Sequence, residues 1–393
     1  MQTLWQSPTD PAFVQDPYPF YERLRAAGPF VHWGDYDLPV TANAAVVGAA
    51  LRDRRLGREA PAELAPPIPE HLAPFYAVEA HSMLELDPPR HTRLRGLVLR
   101  AFTSRRIAGL APEIATLCHR LIDALPAGGC DLITGFAQPL PVIVIARLLG
   151  VPEDRAGDLL TWSNAMVGMY QARRSRATEE AAVAATQDFV AFLTDYIAHK
   201  RRHPADDLIS HLIAAEDNGT TLSTEELIAT CILLLNAGHE ATVHTIGNGV
   251  KTLLEQRSQA AILTVDQIPG TVEEILRHDP ALHLFTRWVH ADLDLSGQTF
   301  RRGDRIGLLL AAANRDPNLW DAPTRFDPTR PVRTHFSFGA GTHFCIGAPL
   351  ARLELQTALP ILFQRLPGLH LTAPPRYADL YHFHGLERLD IAW

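Results

Sequence analysis

The densest chemistry in the sequence lies in Phe338-Gly339-Ala340-Gly341-Thr342-His343-Phe344-Cys345-Ile346-Gly347. Three glycines and one cysteine stand there, just before a stretch of helical periodicity at 349–365. Glycine tolerates positive φ and lets the backbone approach a flat ligand closely. A cysteine at a helix N-terminus sits at the positive end of the macrodipole, which favours thiolate, and a thiolate there can serve a metal as a single axial ligand. The same residues also suit a Gly-rich turn around a buried cysteine, and the pattern alone leaves both readings open. Cys118, Cys130 and Cys231 form no CxxC pair with each other or with Cys345, so the spacing of a zinc or iron–sulfur site is missing. Cys118 and Cys231 fall in apolar helical patterns and read as core.

Two further groups carry chemical residue types. His239-Glu240 and His244 resemble a zinc protease at first sight, but that chemistry needs histidines four apart on one helix face. Here they are five apart, which rotates them by about 140°, and zinc is rejected. Glu-x-x-Arg occurs twice. Glu22…Arg25 reads as a surface ion pair at i,i+3 spacing, whereas Glu274…Arg277 stands 71 residues before Cys345.

Phe338, Gly341, Cys345 and Gly347 resemble the haem-binding signature FxxGxxxCxG of the cytochrome P450 family. His343 adds the basic residue two places before the cysteine. The resemblance implies that Cys345 is the proximal thiolate ligand of haem b, pushing electron density onto iron and favouring O–O cleavage. It also implies that Glu274, Arg277 and Arg330 form a structural triad fixing the ligand loop. The segment Ala237-Gly238-His239-Glu240-Ala241-Thr242 resembles the family's oxygen-activating helix, with Gly238 passing close over the haem and Glu240 as the acid of the proton relay. One departure stands out: Ala241 replaces the usual threonine, and Thr242 points about 100° away in a regular helix.

Further roles follow from the same resemblance. His91 and Arg95, four apart on one helix face, match haem propionate ligands, as do Arg287 and His343. Substrate contacts are expected from Phe75, Val78, Met83, Leu234, Ala237, Leu284, Phe285 and Phe383. Met166, Met169 and Tyr170 are placed at the entrance, and His382 and His384 against a polar substrate or solvent. Arg93, Arg100, Arg105, Arg106 and Arg352 form a basic patch on the thiolate side, where an acidic ferredoxin would dock.

These residues need elements to position them. Residues 17–27 read as a helix stopped by Gly28-Pro29, and Val31–Trp33 and Leu38–Thr41 as strands. Residues 58–89, rich in proline, read as a long irregular segment of the kind that forms lids and binding loops. Helical patterns dominate 90–278, with breaks that include Asn218-Gly219. A capping box of Ser223 and Glu226 opens a long helix running to about Glu255. Residues 285–313 turn strand-like, and a helix returns at 349–365. The fold class is mainly α with a small β-rich lobe, the cytochrome P450 fold, with 1–393 as a single haem domain without a fused reductase.

Composition agrees. Of 393 residues, 47% are hydrophobic and 20% charged, enough for a large core. A net charge of −8 argues against nucleic-acid binding. Of 36 basic residues only Lys200 and Lys251 are lysine, as GC-rich bacterial coding would give. No signal peptide and no membrane span are read, so the cytoplasm is the default. The resemblance therefore implies a monooxygenase that inserts one atom of O2 into a small apolar substrate. Its electrons would come from NAD(P)H through a reductase and a 2Fe-2S-type ferredoxin. A peroxide-driven haem-thiolate peroxygenase and a non-catalytic haem or gas sensor are the alternatives.

Overall fold

A computed structural model describes residues 1–171, 174–215, 221–256, 259–381 and 383–393. The helices that matter for the site are α1 (Tyr18–Ala27), α2 (Ala73–Glu79), α3 (Arg90–Ala101), α4 (Ala111–Asp123), α5 (Pro139–Leu149), α6 (Ala156–Val167), α7 (Arg176–Arg202), α8 (Thr224–Gln256), α9 (Ile268–His278) and α10 (Ala348–Arg365). The mainly helical class read from the sequence is the one observed.

The capping box opens α8 as expected. The Ser223 N–H donates to Glu226 Oε2 at 3.0 Å, and the Glu226 N–H donates to Ser223 Oγ at 3.1 Å, so two otherwise orphaned donors are satisfied. The helix then runs 33 residues, about 50 Å at the helical rise. It is apolar around most of its circumference because α5, α6, α9 and α10 pack against it. Cys118 on α4 and Cys231 on α8 are fully buried in this core.

Six strands form the main sheet: β1 (Thr3–Leu4), β2 (Val31–Trp33), β3 (Leu38–Thr41), β4 (Leu56–Gly57), β5 (Leu284–Val289) and β6 (Arg305–Leu309), in the order β1-β2-β3-β6-β5-β4. β2 and β3 keep the bounds expected. β5 pairs antiparallel with β6, placing Arg287 opposite Ile306. Near the C-terminus, Arg376–Tyr377 pairs antiparallel with Leu386–Arg388. The chain between them folds back so that the His384 N–H donates to the Ala281 carbonyl at 2.7 Å.

Two readings need correction. The Pro-rich segment is not irregular throughout, since it contains α2. Pro74 sits in the first turn, where a missing N–H costs nothing, and no further proline interrupts before Pro88. The strand-like run also ends early, because Leu310–Ala313 is a helical turn, as its alanines favour. His382 and the Asn218-Gly219 break lie outside the described residues. Among the described residues no helix is long and apolar enough to cross a membrane.

Candidate active site

Cys345 lies in the loop that feeds α10. Its N–H donates to the Phe338 carbonyl at 2.9 Å, and the Phe338 ring lies under the Arg352 guanidinium at 4.6 Å. Gly341 adopts φ +69°, and a Cβ there would stand 2.3 Å from the Leu51 carbonyl oxygen, so no other residue fits. Gly347 differs: its φ is −80° and a Cβ would make ordinary contact with Cys345 Sγ at 3.8 Å. The helix-end argument for a thiolate is too strong for the protein by itself. Burial raises the Cys345 thiol above its usual range, although the N–H groups of Gly347 and Ala348 and the charges of Arg95 and Arg352 pull the other way. A bound cation would complete the stabilisation of the thiolate.

The four residues expected to hold carboxylates fall into one region. The His91 and His343 rings are 4.4 Å apart, and His343 Nε2 meets Asp87 Oδ1 at 3.2 Å. Arg95 donates to the Phe344 carbonyl at 2.7 Å. Burial, then His343 and Arg95, push His91 down to about 4, and its buried Nδ1 has no partner. Arg287 is 3% exposed and donates to the Thr286 carbonyl at 2.9 Å. Burial and the neighbouring Arg58 push it down to about 9. Among the described residues no carboxylate lies within ion-pair distance of His91, Arg95 or Arg287. A buried guanidinium in that state lacks an anion, and a ligand carrying two carboxylates supplies it.

The middle of α8 adds the matching opening. Leu233 and Ala241 are half-buried and Ala237 is exposed, which makes one i,i+4,i+8 stripe of accessible small or apolar residues on an otherwise buried helix. Leu284, Phe285 and Thr286 at the start of β5, and Cys345, Ile346 and Gly347, are half-buried as well. Thiol, anion-seeking cations and accessible apolar stripe together fit a haem.

Glu240 sits beside that stripe. Its Oε1 is 3.1 Å from His244 Nε2 and its Oε2 is 3.3 Å from His239 Nε2. Ser163 Oγ reaches His239 Nδ1 at 3.2 Å. Glu240 and His244 line a cavity of about 310 Å³ with Gln138, Asn164, Gln171 and Phe383. Thr242 is turned away, as its rotation implied: its hydroxyl donates to the Gly238 carbonyl at 2.9 Å within the helix.

The expected substrate contacts divide. Phe383 lines the cavity, and Ala237, Leu284 and Phe285 border the opening. Phe75, Val78, Met83 and Leu234 are buried in the apolar core, and Leu233, one residue earlier on α8, is half-buried against that core. Met166 and Met169 are buried too and do not form an entrance. Tyr170 donates to Glu79 at 3.1 Å, linking the segment after α6 to α2. His384 is stacked on Tyr377 at 3.8 Å and lies 3.6 Å from Asp279, so it does not face a substrate. Asp279, His283 and His384 cluster within 4.8 Å. The His283 and His384 rings are 4.5 Å apart and tilted by 38°, and His283 Nδ1 is already bonded to the Tyr21 hydroxyl at 2.8 Å.

The Glu-x-x-Arg triad is assembled. Arg277, fully buried, donates Nε and one terminal nitrogen to the two Glu274 oxygens, both at 2.7 Å, and Arg330 Nε reaches Glu274 Oε1 at 3.3 Å. Arg277 also donates to the carbonyls of Asn314, Pro323 and Arg325. The other Glu-x-x-Arg does not pair: Arg25 turns to the Ala312 carbonyl and Asp316. In the arginine patch Arg93 pairs with Glu226, Arg106 with Asp206 and Arg352 with Glu273; the side chains of Arg100 and Arg105 are exposed. Asp87, Arg58 and Ser163 carry no sequence signal for these roles. The histidines flanking Glu240 do: His244 follows it at i,i+4.

The comparisons converge on one family. The cytochrome P450 family model matches residues 250–369. The chain is 38% identical to cytochrome P450 monooxygenase PikC of Streptomyces venezuelae, over 97% of this chain and 92% of that protein. It is 36% identical to the biotin biosynthesis cytochrome P450 of Bacillus subtilis (strain 168) over the full length of both. Among solved structures, P450BioI in complex with a hexadec-9Z-enoic acid ligated acyl carrier protein superposes with a TM-score of 0.92, at 35% identity, over 97% of this chain and 100% of that one.

Proposed function

The chain belongs to the cytochrome P450 family and is a P450 monooxygenase, and we propose that Cys345 is its haem ligand and that a separate redox protein feeds it electrons. The observation that carries the reading is the presence of a half-buried Cys345 together with four basic side chains, His91, Arg95, Arg287 and His343, three of which have no carboxylate partner among the described residues. When bound, the haem supplies the iron at which dioxygen is split and one oxygen atom passes to the substrate.

The chain's own residues do the rest. Cys345 would ligate the iron, whose positive charge would offset the burial that disfavours thiolate in the free protein. His91, Arg95, Arg287 and His343 hold the propionates. The Glu274–Arg277–Arg330 network fixes the three carbonyls that brace the ligand loop. Glu240 takes protons at its carboxylate from the cavity water and returns them to water, since Ala241 offers no hydroxyl and that of Thr242 is bonded to the Gly238 carbonyl. Ala237, Leu284, Phe285 and Phe383 offer apolar surface, which suits a small apolar substrate.

Electrons enter on the Cys345 side. Leu99 and Phe344 are 46% and 39% exposed beside the exposed Arg100 and Arg105, and an apolar centre with a basic rim suits an acidic ferredoxin. The test compares turnover with NAD(P)H, reductase and a 2Fe-2S ferredoxin against turnover with peroxide alone, under 18O2. Ferredoxin-dependent incorporation of one labelled atom is expected. Product formed with peroxide alone would instead assign a peroxygenase, the reading that Ala241 favours, and no product in either case would leave a haem sensor.

A further inference from the structure

Glu240 is gripped from both sides. His244 meets one carboxylate oxygen at 3.1 Å and His239 the other at 3.3 Å. Both rings are nearly inaccessible, with side chains 8% and 1% exposed, and so are held by packing. The tautomers follow from the outer nitrogens. Burial lowers His239 and keeps it neutral. Ser163 Oγ lies 3.2 Å from its Nδ1; with the hydroxyl as donor there, Nε2–H is the proton left to face Glu240. His244 Nδ1 is buried without a partner, and the Gly385 backbone is so close that a Cβ there would stand 1.7 Å from it. A proton on that nitrogen would find no acceptor, while Nε2 would turn a lone pair toward a carboxylate. The satisfied choice again puts the proton on Nε2.

A carboxylate receiving one N–H on each oxygen has a fixed plane and rotamer. Here that plane opens on the cavity of about 310 Å³, room for on the order of ten waters at ~30 Å³ each. Gln138, Asn164, Gln171 and Glu387 line its walls and give water the polar partners it needs. Position 241 offers no hydroxyl, and the Thr242 hydroxyl is spent on the Gly238 carbonyl, so neither orients the proton path.

Resting on the reading of Glu240 as the proton carrier, we propose that His239 and His244 are positioning residues: a two-imidazole clamp that presents the Glu240 carboxylate to the cavity. One proton per cycle passes from the cavity's water to a Glu240 oxygen and from the carboxyl on to another water, so that the carboxylate returns to the same clamp. The imidazoles donate hydrogen bonds throughout.

The test uses the haem-loaded enzyme. In the diamagnetic ferrous carbon monoxide state, side-chain 15N resonances should show both His239 and His244 as Nε2–H tautomers. His239→Leu and His244→Leu should each lower product formed per NAD(P)H roughly tenfold, the scale of a lost hydrogen bond to a charged group, while the substrate-induced spectral shift keeps its affinity. His239→Gln and His244→Gln, whose amides can still donate, should recover most of the coupling, which a merely structural loss would not allow. An Nδ1–H tautomer at either histidine, or wild-type coupling in the leucine variants, overturns the clamp. If coupling in Glu240→Gln also stayed at the wild-type value, the proton-carrier reading itself would fall.

Discussion

Glu274→Gln should be among the most damaging single substitutions outside the Cys345 loop. The carboxylate is 4% exposed and accepts four contacts: two from Arg277 at 2.7 Å, the Asp327 N–H at 2.8 Å and Arg330 Nε at 3.3 Å. Glutamine keeps one oxygen. Its NH2 must then face either Arg277 Nε–H or the Arg277–Asp327–Arg330 side, donor against donor in both orientations. The fully buried Arg277 is left without a counter-charge, and breaking one half of such a pair costs about 3–5 kcal/mol. That is a fall of roughly 10²–10⁴ in the folded ratio, against a total stability of roughly 5–15 kcal/mol. Urea unfolding followed by far-ultraviolet circular dichroism measures it, with haem retained per chain recorded alongside. Because Arg277 also holds the carbonyls of Asn314, Pro323 and Arg325, haem retention should drop with stability. A loss below about 1 kcal/mol with full haem content would show that the carbonyl bonds alone brace the loop, and the reasoning would be refuted.

Acid should loosen the seam between α9 and α10. Burial opposes ionisation of Glu273, but Arg352 and His335 outweigh it and bring the group down to about 2. The stability this contributes is present above the ordinary carboxylate range and is lost as pH falls from about 4.5 towards 2, on the order of 3 kcal/mol at most. Urea midpoints at pH 5 and pH 3 should therefore converge in Glu273→Gln, and an acid slope equal to wild type would count against the assignment. On the docking face, Arg100→Glu and Arg105→Glu should slow ferredoxin-supported turnover several-fold and flatten its salt dependence without changing substrate-induced spectral shifts; unchanged turnover would place docking elsewhere. Arg93→Glu is a poorer probe, since it also breaks the pair with Glu226. Thr242→Ala should leave peroxide leakage at the wild-type value, because that hydroxyl is bonded within the helix, and a marked rise in leakage would show that the hydroxyl leaves Gly238 during turnover.

Much of the site was legible because it is local in sequence. The Glu-x-x-Arg pair and the capping box of α8 each depend on spacings of a few residues, and each is found as read. Apolar contacts expected from family position are harder to read. Leu234 and Leu233 differ by one residue and therefore by about 100° on the helix, which is the difference between a buried and a half-buried side chain. Phe75, Val78 and Met83 are apolar, and nothing in an apolar residue's type separates a core contact from a ligand contact. α2 was hidden because proline density reads as irregular chain, although Pro74 in a first turn is compatible with helix. His384 illustrates the long-range limit: its partners Tyr377 and Asp279 lie 7 and 105 residues away, and only the folded C-terminal hairpin brings Asp279 to it.

The account rests on Cys345, and the reduced carbon monoxide spectrum tests it most directly. Wild type, Cys118→Ala and Cys231→Ala should absorb near ~450 nm, where thiolate ligation of haem places the band, and Cys345→Ala should lose it. A band that persists in Cys345→Ala would contradict the assignment of the ligand and, with it, the reading of the whole site.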